Sequence, residues 1–261
     1  MKFIRLCFIL ALPVILPACA NAAENSLPST PPATETPLPS PTIVWFPPSA
    51  TPSPQAFASQ VPTPNQKPGV GAARLTDDFS SADFWNPASS KDGSAILNGN
   101  SLTLAVPAGA YIFRIRADLV VSDFYAELTA RPSLCKGQDE YGLLVRASAV
   151  AYYRLALMCN GTLRLDRVTS RSHQILQPAV ASGDAPTGAP GEVRIGVWAV
   201  GSDLRFWLND DYQFSVDDKN YPSGTIGVFA HSVADTPVAV TFSDLTIYDV
   251  NYLQPTKTPQ P

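Results

Sequence analysis

Histidine and methionine are nearly missing, with two of each in 261 residues, and cysteine is limited to four. His173 and His231 are poor provision for a zinc site, which asks for four nitrogen or sulfur ligands. Charge is sparse as well: 15% of residues are charged and the formal net charge is −4. That leaves no basic excess or stripe for a polyphosphate backbone, which excludes nucleic acid as a partner. There is no Gly-x-Ser-x-Gly elbow, no His-Glu-x-x-His and no Gly-rich phosphate loop, so esterase, peptidase and nucleotide chemistry have no motif support. No apolar run reaches the ~20 residues of a membrane-spanning helix. The run from Leu6 to Leu16 is too short and is broken by Pro13.

That short run is nevertheless informative. Lys2 and Arg5 precede it, and Leu16-Pro17-Ala18-Cys19 closes it, the order of an export signal. The ending resembles the bacterial lipobox, which implies that the Cys19 thiol is acylated and becomes the first residue of the mature protein. Ala18-Cys19-Ala20 also fits an ordinary signal peptidase. On the first reading residues 1–18 are the signal, the protein sits lipid-anchored on the outer face of the cell membrane, and the loss of Lys2 and Arg5 takes the net charge to about −6. Cys7 then leaves with the signal and Cys19 carries lipid. Cys135 and Cys159 remain as an even pair in an oxidising compartment, the arithmetic of a disulfide.

Thirteen of the 26 prolines lie between Pro28 and Pro68, and from Glu24 to Val70 the only acidic residues are Glu24 and Glu35 and the only basic residue is Lys67. Such a composition cannot bury enough apolar surface to offset its ordering entropy, so residues 19–72 are expected to be a disordered Pro/Ser/Thr-rich linker. In extended polyproline geometry some 45 residues reach at most on the order of 140 Å. One apolar knot, Ile43-Val44-Trp45-Phe46, interrupts it and reads either as a docking patch or as an inherited tract. Residues 251–261 turn proline-rich again and are expected to fray.

Between these ends the period changes to two. Short runs of alternating apolar and polar residues, each ended by Gly, Asn, Asp or Pro, predict strands at Ser94 to Leu97, Ser101 to Val106, Tyr111 to Arg116, Phe124 to Ala130, Tyr141 to Ala147 and Tyr152 to Met158. Further strands are predicted at Leu163 to Val168, Val193 to Ala199, Leu204 to Leu208, Thr225 to Ala230 and Val238 to Tyr248, with no helix of useful length. Asn98-Gly99 and Asn160-Gly161 read as hairpin turns. The expected fold is all-β: an antiparallel two-sheet sandwich over residues 73–250.

Several of these stretches carry a resemblance. Asp77-Asp78-Phe79 ahead of Trp85, Tyr141-Gly142-Leu143-Leu144-Val145-Arg146, Tyr152-Tyr153-Arg154-Leu155, Leu204-Arg205-Phe206-Trp207-Leu208-Asn209-Asp210, Gly224-Thr225-Ile226-Gly227-Val228 and Val240-Thr241-Phe242-Ser243-Asp244-Leu245 resemble the concanavalin A-like lectin/glucanase superfamily. The branch in view holds the 3-keto-disaccharide hydrolase-like domains. The resemblance implies a jelly roll with one concave sheet and sugar as the ligand class.

Alternation assigns faces. One side of the strands is aliphatic: Leu143 and Val145, Leu155 and Leu157, Leu163 and Leu165, Ile195 and Val197, Phe206 and Leu208. The other collects Arg146, Tyr152, Arg154, Arg164, Arg194, Trp198, Arg205 and Trp207. Flat rings stack on sugar faces and guanidinium forks hydrogen-bond hydroxyls, so this set reads as a carbohydrate-binding groove if the strands share a concave sheet. If they lie on the convex side it reads as a solvated exterior.

Acid–base glycoside cleavage wants two carboxylates about 5 to 9.5 Å apart. None of Glu24, Glu35, Glu127, Glu140 and Glu192 falls in the Glu-x-Asp-x-x-Glu pattern of related glucanases, and no catalytic residue is assigned. Asp77, Asp78 and Asp244 either converge on Ca²⁺ if the terminal strands pair, or make turn hydrogen bonds; no cofactor is expected to be required. The sequence thus predicts a monomeric carbohydrate-binding module whose partner is a glycan and whose membrane contact is the lipid alone. A 3-keto-disaccharide-type hydrolase and a structural envelope module that docks other envelope proteins remain the alternatives.

Overall fold

The computed structural model of the protein describes residues 65–253. The expected signal, Cys19, the apolar knot at 43–46, most of the linker and the last eight residues lie outside the described residues.

Fifteen strands and one short helix make up the described part. One sheet contains β1 (Val70–Asp77), β2 (Ala88–Ser90), β3 (Gly93–Leu97), β4 (Leu102–Val106), β6 (Phe124–Leu134), β11 (Val193–Val200), β12 (Asp203–Leu208), β13 (Asp211–Asp217) and β15 (Val238–Val250). Its order is β13-β12-β11-β6-β15-β4-β3-β2, with β1 pairing to β15. The other sheet contains β5 (Tyr111–Ile115), β7 (Glu140–Ala147), β8 (Ala151–Met158), β9 (Thr162–Thr169), β10 (His173–Ala181) and β14 (Thr225–His231), in the order β10-β9-β8-β7-β14-β5. Every pairing is antiparallel.

The predicted aliphatic side is the core between the sheets. Leu143, Val145, Leu155, Leu157, Leu163, Leu165, Ile195, Val197, Phe206 and Leu208 are all at 1% exposure or less. Each such side chain contributes on the order of 1.5–3 kcal/mol when fully buried. α1 (Ala82–Trp85) closes one end by placing the Trp85 ring on Phe79, centroids 4.7 Å apart. Cys135 and Cys159 are joined in a disulfide, their Cα atoms 5.7 Å apart, and so tie the end of β6 in one sheet to the end of β8 in the other.

Four strands and one helix escape the sequence pattern, and each strand does so for a local reason. β10 carries Pro178 and little alternation, tolerable because it is an edge strand. β13 follows a two-residue Asn209-Asp210 turn with φ of 49° and 71°, so the turn chemistry is there without glycine. β2 has three residues, and β1 begins at Val70, three residues before the expected boundary. The β3–β4 turn centres on Gly99 and Asn100, at φ 52° and 61°, one position later than Asn98-Gly99.

Candidate functional site

The predicted arginine and aromatic set does not share one face. It divides between the outer faces of the two sheets, and the halves have different fates.

On the nine-stranded sheet, Tyr248, Tyr125, Trp198 and Arg205 form one cross-strand row and Glu127, Gly196 and Trp207 the next. Trp198 is fully buried and Trp207 nearly so, because residues 65–69 run across them as a strap. Trp198 Nε1 donates to Pro68 O at 3.0 Å, and Arg205 Nη1 donates to Gln66 O at 3.1 Å. The Lys67 ammonium lies 4.7 Å from the Tyr125 ring centroid and 5.0 Å from that of Trp207, and donates to Asp210 at 3.0 Å. Tyr252, which follows β15 and lies beside Gly69 of the strap, packs on Trp198, and Arg205 stacks on the same ring. Arg194 is ion-paired to Glu127, which also accepts from Tyr125 and Tyr248. Trp198, Trp207 and Arg205 therefore belong to a covered face, not to an open groove, and Arg194, although exposed, is committed to Glu127 at its border. Alternation sorts inside from outside correctly but carries no information about which sheet a strand joins.

Arg146 is a second correction. Between β7 and β14 the register slips from Ala147↔Thr225 to Leu144↔Gly227, a β-bulge, and Arg146 sits in it at φ 47°. The bulge turns the side chain off the outer face and into the end of the sandwich. There the guanidinium donates to Ser122 O (3.1 and 2.6 Å), Gly201 O (2.6 Å) and Tyr221 O (3.1 Å), at 1% exposure. Burial lowers its pKa while Asp123, 3.6 Å away, opposes the shift. It is a fixed internal cation that pins three chain segments.

The outer face of the six-stranded sheet is the candidate site. Its cross-strand rows run Tyr111, His231, Glu140, Met158, then Phe113, Phe229, Gly142, Ala156, Arg164, then Ile115, Gly227, Leu144, Arg154, Asp166. Gly142 is required: a Cβ there would stand 2.2 Å from Leu155 O. Leu144, Ala156 and Phe229 form a fully buried floor. Tyr111 and Phe113 form a half-buried roof over it, with centroids 5.8 Å from Phe229 and from Tyr152 respectively, and the Tyr111 and Tyr152 hydroxyls 3.2 Å apart. Burial and the Tyr152 hydroxyl hold the Tyr111 phenol well above its ordinary pKa, so it stays protonated. Beside the roof, along the free edge of β5, opens a cavity of about 430 Å³ lined by Tyr111, Phe113, Trp85, Ser90, Asp92 and Arg114.

Next to these rings lies a polar grid. Arg154 donates through Nε and Nη2 to Asp166 Oδ2 at 3.1 and 2.7 Å, and its Nη1 is 3.7 Å from Glu140 Oε2. Arg164 donates through Nε to Asp166 Oδ1 at 2.9 Å and through Nη2 to Glu140 Oε1 at 2.7 Å. The chain's two histidines close the ends: His231 Nδ1 is 3.2 Å from Glu140 Oε2 and His173 Nε2 is 3.2 Å from Asp166 Oδ1. Burial alone would raise the pKa of Glu140, but the His231 hydrogen bond and the charges of Arg154 and Arg164 outweigh it and hold the carboxyl below its usual range. Of the predicted set, Tyr152, Arg154 and Arg164 are thus brought together. Tyr111, Phe113, Phe229, Glu140, Asp166 and both histidines were missed. The signal lay in the Tyr111-x-Phe113-x-Ile115 and Arg164-x-Asp166 alternations, read jointly with the strand order that the sequence does not state.

The aspartates first considered for calcium have other work. Asp77 is buried and accepts from Phe79 N at 2.8 Å and Trp85 Nε1 at 2.8 Å while ion-paired to Arg116. Asp78 accepts from Ser80 N at 3.0 Å, and Asp244 sits in the β15 bulge at φ 58° accepting from Ser243. Among the described residues no three His, Cys, Asp or Glu side chains gather as metal ligands.

No protein-family model matches the sequence, and no curated protein matches it. Solved structures do. A carbohydrate-binding module from Bacillus subtilis superposes with a TM-score of 0.52 at 14% identity, over 64% of this chain and 98% of that one. A Bacillus subtilis protein of unknown function with a galectin-like fold gives 0.52 at 14%, over 70% and 99%. The Bacillus licheniformis beta-glucanase gives 0.52 at 7%, over 69% and 99%. At these identities the likeness is one of fold. With the two-sheet topology it defines the described region as an antiparallel jelly-roll sandwich of the concanavalin A-like and galectin-like kind.

Proposed function

We propose that the chain is a surface-anchored lipoprotein, acylated at Cys19, that presents a non-catalytic carbohydrate-binding jelly roll on its proline-rich linker. The observation that carries the reading is the outer face of the six-stranded sheet. Tyr111 and Phe113 offer ring surface for the apolar side of a sugar, and beside them Arg154 and Arg164, held flat by the buried Glu140 and Asp166, offer planar N–H forks that donate to hydroxyls. The carbohydrate-binding module among the structural neighbours has the same fold, and another neighbour of equal fold, a Bacteroides ovatus enzyme, is described with an oligosaccharide product bound. Residues 65–69 cover the opposite sheet, whose outer aromatic side chains are thereby already in use.

Catalysis has less support. A general acid must hold a proton near neutral pH, whereas Glu140 and Asp166 are each ion-paired to both arginines and Glu140 is held ionised. The test is affinity electrophoresis of the full chain through gels holding plant, bacterial and fungal polysaccharides, with release of reducing sugar followed in parallel. Retention without cleavage is the expected result. Retention by none of them would overturn the binding reading, and turnover of a glycan or of an oxidised disaccharide would overturn the non-catalytic one.

A further inference from the structure

We infer that the face takes uncharged glycans and rejects uronic, sulfated and free-amino sugars; this inference rests on the binding reading above and names its ligand class. The ground is charge balance. Two guanidinium groups and two carboxylates alternate on β7, β8 and β9, and each arginine meets both acids: Arg154 at 2.7 Å to Asp166 and 3.7 Å to Glu140, Arg164 at 2.9 Å to Asp166 and 2.7 Å to Glu140. Their formal charges cancel.

An anionic sugar would find no unpaired cation in the grid, and at the cavity beside the roof the Arg114 guanidinium is matched in formal charge by Asp92 and already donates to the carbonyls of Asn86 and Phe113. To engage either arginine it must displace a carboxylate that is itself nine-tenths or more buried, since Glu140 is 4% and Asp166 0% exposed. The displaced group would be left as an unpaired buried charge. A sugar ammonium faces the mirror-image problem, because both carboxylates already hold cations. A hydroxyl group needs no displacement. It can accept from an N–H of Arg154 or Arg164, whose side chains keep 12% and 17% exposure, and donate to the rim of Glu140, while the sugar's C–H face lies on Tyr111 and Phe113, whose rings carry no charge.

The experiment uses matched ligands: methyl-esterified against demethylated polygalacturonate, and chitin oligomers against chitosan oligomers, binding to the full chain at low and high salt. The neutral member of a pair is expected to bind at least about tenfold tighter than its charged partner, with little dependence on salt. Glu140→Gln removes one negative charge without changing shape and is expected to gain salt-sensitive binding of polygalacturonate. Charged members binding as tightly as neutral ones, with that binding lost in the Tyr111→Ala/Phe113→Ala double variant, would overturn this inference and leave the binding reading standing. Neutral binding that survives the double variant would remove the face itself. Absence of gain in Glu140→Gln, with neutral binding intact, would contradict the charge-balance argument, and binding of no ligand would overturn the reading on which it rests.

Discussion

Replacing Tyr111 and Phe113 together with alanine is expected to weaken retention on a bound glycan by about 30-fold, equivalent to about 2 kcal/mol. Both rings stand on β5, the edge strand of the six-stranded sheet, half-buried above a floor made by Phe229, Leu144 and Ala156. Aromatic side chains at the centre of a contact carry a disproportionate share of its energy because they exclude water from the hydrogen bonds beside them. Here those hydrogen bonds belong to Arg154 and Arg164. Truncation leaves the inter-sheet core intact, since neither ring is part of it, and the β-sheet circular dichroism should be retained. Tyr212→Ala supplies the control: Tyr212 is 42% exposed and packs against Trp207 on the other sheet, so its loss should leave retention unchanged. Unchanged retention in the double variant, or a loss in the Tyr212 variant, would move the site off this face.

Arg146→Met should destabilise the domain by about 3–5 kcal/mol, read as a lower urea midpoint at similar slope. The replacement keeps the unbranched apolar stem but removes the guanidinium head and strands the carbonyls of Ser122, Gly201 and Tyr221, which it serves through four contacts of 2.6 to 3.1 Å. Buried acceptors without a donor each carry a desolvation penalty of about 1–3 kcal/mol. The bulge at φ 47° compounds the effect, because the strained backbone is held by the contacts the side chain makes. An ordinary solvent-facing arginine, which alternation alone makes of Arg146, would cost less than about 0.5 kcal/mol to replace. The two accounts of this residue differ by an easily measured amount.

That residue also marks where sequence reasoning stops. Alternation sorts Leu143, Leu155, Leu165, Val197 and Phe206 inward and Tyr152, Arg154, Arg164, Trp198 and Trp207 outward, because side-chain period is a local property of the strand. It fails at Arg146 because a single inserted residue in β7 reverses the parity of the strand beyond it. It merges two faces into one because membership of a sheet is set by long-range pairing: β8 and β9 lie beside β7, while β11 and β12 lie beside β6. The burial of Trp198 is hidden for a different reason. Its cover is an irregular Gln66-Lys67-Pro68-Gly69 strap inside a stretch whose composition reads as linker, and Lys67, the only basic residue between Glu24 and Val70, is the one that enters the aromatic cage. The cysteine pair is legible because it rests on counting rather than on pairing. Sequence spacing gives Glu140 no catalytic partner, and the value of Glu140 and Asp166 as hydrogen-bonding groups emerges only when β7, β8 and β9 bring them to the same two arginines.

Hydroxyl-radical footprinting of the full chain, with and without a saturating oligosaccharide that it retains, tests the central claim most directly. The bound glycan should shield Tyr111, Phe113, Tyr152 and His231 from oxidation and leave Tyr212 and Tyr248 as reactive as before. Shielding of Tyr212 and Tyr248, with the six-stranded face unchanged, would contradict the account.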